Sequence, residues 1–99
     1  MQMMALFYEK KVGTMGGLKK EVSRLDSDAG IRIVGQYMNR PCFAFVTRFI
    51  THFTVMVYAR KVQNASVGRI VLAKEFESPE QLEVFLRKII RGKVEAYVY

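Results

Sequence analysis

Between Ala29 and Lys74 the chain carries Arg32, Arg40, Arg48, Arg60, Lys61, Arg69 and Lys74, and not one Asp or Glu. The remaining residues balance nine basic against nine acidic side chains, so this segment holds the whole net charge of +7. A surface of one sign attracts polyanions and speeds their encounter, and the planar guanidinium fork matches phosphate oxygens two at a time. Alternation along 52–60 places Thr54, Met56, Tyr58 and Arg60 on one face of a strand and Phe53, Val55, Val57 and Ala59 on the other. Arg32 with Gln36, Arg48, and Arg69 also stand opposite mostly apolar neighbours. A sheet face with arginines, a tyrosine and a threonine can hold a nucleic-acid backbone and stack on bases. Arg32, Arg48, Tyr58, Arg60 and Arg69 are therefore the candidate nucleic-acid-binding residues, with DNA or RNA as partner. The competing reading is a solvated outer face whose arginine stems cover apolar surface.

A second use of the same residues is association with a copy of the chain. The segments 3–12, 31–38 and 42–60 carry apolar residues on both faces, more than two helices can cover. Val34 and Met38 alternate in phase with Arg32, and Cys42, Ala44 and Val46 with Arg48, giving an apolar centre with a charged border. A homodimer covers such a patch with its own twofold mate. A terminal strand at Val94 to Tyr99 offers an edge for strand addition as a further route.

Catalytic constellations are nearly empty. His52 is the single histidine and Cys42 the single cysteine; a hairpin could bring them together, but no third group orients them. One cysteine closes no internal disulfide and builds no cysteine-type zinc site. Gly13, Gly16 and Gly17 with Lys19 and Lys20 resemble an anion cradle in composition, but the spacing of a phosphate loop is absent and a flexible connector explains the glycines. Asp26 and Asp28 mark an exposed turn rather than an acid and base pair, and Asn64-Ala65-Ser66 reads as a turn. The expectation is a binding protein that is not an enzyme, with no cofactor, no metal, no catalytic residue and no small-molecule substrate evident.

These residues need a sheet to hold them. The run from Met3 to Val12 reads as a strand, and Met15, Leu18, Val22 and Leu25 recur at helical spacing, predicting a helix over 15–28 closed by Gly30. From Ile31 to Phe76, β-branched and aromatic residues dominate, with turn signals at Asn39-Arg40-Pro41 and Gln63-Asn64-Ala65-Ser66. Strands are expected near 31–38, 42–50, 52–62 and 67–76; one long bent strand through 42–60 is the alternative, since no tight-turn residue separates Ile50 from Thr51. Ser78, Pro79 and Gln81 form a capping box with proline at the first helical position, followed by Leu82, Phe85, Leu86, Ile89 and Ile90 on one stripe. Gly92 closes this helix, and Val94 to Tyr99 alternates as a last strand. The fold class is α+β: a mainly antiparallel sheet of five or six strands, order β-α-β-β-β-β-α-β, with two helices on one face.

At 99 residues, with 51% apolar and 25% charged side chains, the chain reads as a single domain, 1–99. No secretory signal or run of membrane-spanning length is visible, which points to an intracellular, cytoplasmic setting without membrane insertion.

Two resemblances accompany this reading. Phe43-Ala44-Phe45-Val46 resembles the centre of the aromatic strand motif of RNA-recognition-motif domains, and the order strand, helix, strand, strand agrees at first. The likeness covers four residues: Cys42 replaces the motif's glycine, Arg48 stands where its last aromatic belongs, and two further strands intervene. A buried aromatic strand accounts for the same four residues. A Met-initiated frame of 99 residues, rich in Ile, Val, Tyr, Lys and Arg and ending in Lys93-Val94-Glu95-Ala96-Tyr97-Val98-Tyr99, resembles the small proteins of filamentous viruses of hyperthermophilic archaea, such as those infecting Acidianus. That resemblance implies a viral protein working in host cytoplasm with high thermal stability, and it carries no functional residue across. Six methionines and a cysteine run against the thermophile bias.

Overall fold

A computed structural model describes residues 10–61 and 66–99, with side-chain surroundings for residues 10–60 and 68–99. The Met3 to Glu9 part of the expected first strand, the turn expected at Gln63 to Ser66 and Val62 lie wholly or partly outside the described residues. Among the described residues, the chain forms β1 (Lys10–Val12), α1 (Met15–Ser23), β2 (Gly30–Tyr37), β3 (Arg40–Phe49), β4 (His52–Lys61), β5 (Ser66–Phe76), α2 (Pro79–Ile89) and β6 (Glu95–Val98). The strands make one antiparallel sheet in the order β1-β6-β2-β3-β4-β5, which is the expected α+β arrangement. No helix among them is long and apolar enough to cross a membrane.

Each helix begins at a residue that accepts an otherwise orphaned backbone donor. Thr14 Oγ1 accepts from the Gly17 N–H at 3.0 Å, and Ser78 Oγ accepts from the Gln81 N–H at 3.2 Å. Gln81 reaches back in turn, its Oε1 accepting from the Glu77 N–H. α2 ends as expected near Gly92, whose φ of +74° suits glycine. α1 stops at Ser23, five residues short of the expected end. Asp26 and Asp28 oppose the helix dipole at that point, and Leu25 turns inward to 3% exposure in the loop that follows. Gly30, expected to close α1, instead opens β2.

The β2–β3 turn differs in detail from the expected one, and the break between β3 and β4 falls where two strands rather than one bent strand were expected. Tyr37 pairs with Arg40, so the β2–β3 turn is Met38-Asn39, with φ of 52° and 66°. Two consecutive positive φ values give the turn the hand that matches strand twist, and Asn39 tolerates that region well. Phe49 pairs with His52, so 42–60 is a true hairpin turning at Ile50-Thr51, with Ile50 at φ 58°. A β-branched residue in that region is uncommon, and the sequence carries no turn signature there.

The register decides which face is core. Ile31 and Ile33 of β2 align with Val46 and Ala44 of β3, then with Val55 and Val57 of β4, and on the other side with Ala96 of β6. These residues are 0% exposed and lie beneath Leu18 and Val22 of α1 and Leu82, Leu86 and Ile89 of α2. Helices lie close where the sheet offers small side chains: a Cβ placed on Gly35 would stand 2.5 Å from the Ile89 carbonyl oxygen. Burying this apolar layer, at about 25 cal/mol per Å², is the main stabilising term. At the outer edge, β5 loses register with β4 twice, between the partners of Val57 and Tyr58 and between those of Tyr58 and Arg60.

Candidate nucleic-acid interface

Register also defines the sheet's second face, which no helix among the described residues covers. It presents Tyr97 from β6, Arg32 and Val34 from β2, Phe43 and Phe45 from β3, and Met56, Tyr58 and Arg60 from β4. Arg32 and Tyr97 are direct partners, and the guanidinium carbon lies 4.5 Å from the ring centre. The same guanidinium is 5.5 Å from the centre of Phe43, and that of Arg60 approaches Phe43 at 5.7 Å. Phe43 is thus covered by two cations and is 5% exposed. Cation over ring is favourable and helps hold both arginines on this face.

Beside this cationic pair the rings are more open. Phe45 and Tyr58 meet edge to face at 5.5 Å, and Phe45 stands 6.3 Å from Phe43. With Met56 and Tyr99 they line a shallow depression of about 370 Å³. Tyr99 reaches this place because Gly30 has no side chain: a Cβ there would meet the ring at 2.6 Å. Glu95, which accepts from the Tyr97 hydroxyl at 2.8 Å, and Glu75 opposite Thr54 are the acids of this face among the described residues, one toward each side.

Of the five expected residues, Arg32, Tyr58 and Arg60 come together here. Arg48 does not. Its partner Phe53 points to the helix side, and so does Arg48, together with Cys42, Ala44 and Val46, which belong to the core and not to an exposed patch. Its Nη1 donates to the Leu25 carbonyl at 3.1 Å, its Nε to the Ile50 carbonyl at 2.9 Å, and it stands 5.5 Å from the Phe53 ring centre. Arg48 ties the loop after α1 to the β3–β4 turn. Arg69 is also separated: the slip between the partners of Val57 and Tyr58 places Ile70 opposite Tyr58, so its neighbour Arg69 falls opposite Ala59 and lines a cleft on the helix side. Tyr97, Tyr99, Phe43 and Phe45 are among the additions, and strand alternation carried a signal for them: Tyr97 and Tyr99 alternate with Ala96 and Val98, Phe43 and Phe45 with Ala44 and Val46.

Cys42 and His52 stand at opposite ends of the β3–β4 pairing, facing Ala59 and Phe49 on opposite sides of the sheet, so they do not meet. Burial pushes the Cys42 thiol up from its ordinary pKa, with the Arg60 charge opposing. The Gly17 N–H is taken by Thr14, as a connector leading into a helix requires. Among the described residues there is no cluster of three or more His, Cys, Asp or Glu able to hold a metal ion.

The chain is thus an α+β protein with a two-helix layer on one side of a six-stranded sheet and a cationic, aromatic surface on the other. No protein-family model, curated protein or solved structure matches it.

Proposed function

We propose that the chain binds single-stranded nucleic acid on the open sheet face, as a binding protein and not an enzyme. One observation carries the reading: the guanidinium groups of Arg32 and Arg60 both lie within 5.7 Å of the Phe43 ring centre, next to a depression lined by Phe45, Tyr58 and Tyr99. Guanidinium groups take phosphates, and exposed rings stack on bases that a single strand leaves accessible. Bases inside a duplex offer no such faces. The depression is lined by rings and a thioether, so stacking dominates and base identity matters little.

A homodimer through the same face is the rival reading, favoured by the apolar lining of the depression. A twofold contact through this face would set Arg32 and Arg60 against the same side chains of the second copy, and like charges brought together across an interface are unfavourable. That balance favours a polyanion as the occupant.

Fluorescence anisotropy with labelled oligothymidylate of about 12 nucleotides and its duplex tests this directly. The single strand should bind more tightly, with affinity falling steeply between about 50 and 200 mM salt. Tyr58→Ala should weaken binding by about 1–3 kcal/mol while leaving the salt slope unchanged. Equal binding by wild type and an Arg32→Ala/Arg60→Ala variant would defeat the proposal. Sedimentation of the free 11.4 kDa chain as a dimer that oligothymidylate fails to dissociate would favour the rival.

A further inference from the structure

A second concavity lies on the helix side of the sheet, away from the aromatic face. Gly35, Cys42 and Ala59 form one row across β2, β3 and β4, and α2 ends over that row with the Ile89 carbonyl against Gly35. Outward from it the sheet continues through Tyr37 and Arg40 without a helix above. The result is a cleft of about 470 Å³, within the range of small-molecule sites, lined by Tyr37, Arg40, Cys42, Ala59, Arg69 and Val71 among others.

The irregularity of β5 shapes this cleft. Tyr58 pairs with Ile70 and Arg60 with Val67, so Gly68 and Arg69 together lie opposite the single residue Ala59. The slip before it, between the partners of Val57 and Tyr58, inverts the alternation of β5 at Ile70, so that Arg69 lines the cleft together with Arg40. Gly68 admits this geometry because a Cβ there would sit 2.9 Å from the Ala59 carbonyl oxygen. The floor is apolar and uncharged: Cys42 is 1% exposed and burial keeps its thiol protonated. Among the described residues neither Arg40 nor Arg69 has an ion-pair partner, and the segment that contains both is free of acids.

We propose that this cleft binds a small amphipathic anion, its apolar body against Cys42, Ala59, Tyr37 and Val71 and its carboxylate between Arg40 and Arg69. Two arginines lining one cleft can supply charge-assisted hydrogen bonds to a carboxylate, and the apolar floor excludes water beneath it. The site is independent of the nucleic-acid reading, since Arg32, Tyr58 and Arg60 lie on the other face.

Calorimetric titration with sodium octanoate, and with 1-octanol as its uncharged counterpart, tests the site. Octanoate should bind the full chain about tenfold more tightly than octanol, about 1.4 kcal/mol. Arg40→Ala/Arg69→Ala should erase that difference, and because both residues are exposed the fold should persist, as circular dichroism will show. Ala59→Leu, which fills the floor, should weaken both probes. Arg32→Ala/Arg60→Ala should leave octanoate binding unchanged. Absence of octanoate binding, equal binding of octanoate and octanol, or an unaltered preference in the Arg40→Ala/Arg69→Ala variant would each overturn the proposal.

Discussion

The guanidinium carbon of Arg32 stands 4.5 Å from the centre of the Tyr97 ring, across the β2–β6 pairing. A double-mutant cycle with Arg32→Ala and Tyr97→Leu should give a coupling of about 0.5–1 kcal/mol in urea denaturation. Tyr97→Phe keeps the ring and loses the hydroxyl bond to Glu95, so it should retain most of that coupling. Zero coupling would mean that the ring does not hold the cation.

Two arginines on consecutive strands should behave oppositely. Arg60→Ala, on the open face, should flatten the salt dependence of oligothymidylate binding by about one unit of slope. Arg48→Ala should leave binding intact but destabilise the fold by about 1–2 kcal/mol, since it frees the Leu25 and Ile50 carbonyls. Denaturation and anisotropy on both variants separate the roles; a binding loss in Arg48→Ala with unaltered stability would contradict the placement.

Gly35→Ala should be among the most destabilising single-methyl additions in the chain. The new carbon would lie 2.5 Å from the Ile89 carbonyl oxygen, a backbone atom that moves only if α2 does. Overpacking of this kind costs about 1–3 kcal/mol, readable as a lower denaturation midpoint. Gly16→Ala, with nothing within 4 Å, serves as the comparison and should be neutral or slightly stabilising.

Acid should weaken the attachment of α1 to β1. The hydrogen bond from Lys10, at 2.8 Å, holds the Glu21 carboxyl below the ordinary value of 4.5, with burial opposing and Arg24 assisting. Because the folded pKa is depressed, Glu21 contributes stability above pH 4.5, and this is lost as pH falls through the folded value. The bonds from Arg87 do the same for Glu83. Glu21→Gln should therefore show a shallower loss of stability below pH 4.5 than the wild type, with little difference in slope above it.

The succession of strands and helices along the chain and the capping box were legible because each rests on local chemistry: Ser78 and Pro79 start α2 whatever packs against it. The order β1-β6-β2-β3-β4-β5 within the sheet was not, since it depends on contacts between distant segments. Which face of the sheet would be core was harder to see. Along β3 both phases are apolar, Cys42-Ala44-Val46 on one side and Phe43-Phe45 on the other, and period-two alternation separates them without ranking them. The structure ranks them by volume, since helices settle on alanine, glycine and valine and leave the larger rings outside. Small residues at Gly35, Ala44 and Ala96 held that signal in the sequence. The placement of Arg69 had no sequence signal, because a slip in register depends on the partner strand. The break at Ile50-Thr51 was expected but carried no turn signature, since neither residue favours a positive φ, and so one long bent strand stood beside it as the alternative.

The two slips along β5 also bear on how the chain behaves when crowded against its own copies. An eleven-residue edge with evenly spaced donors and acceptors would let a neighbouring chain zip on along its length and pass the same edge to the next, as a fibre grows. Each slip breaks that comb, so an incoming strand finds matched partners for only a few residues before it falls out of step. The irregularity that turns Arg69 into its cleft thereby keeps the sheet from growing outward without end.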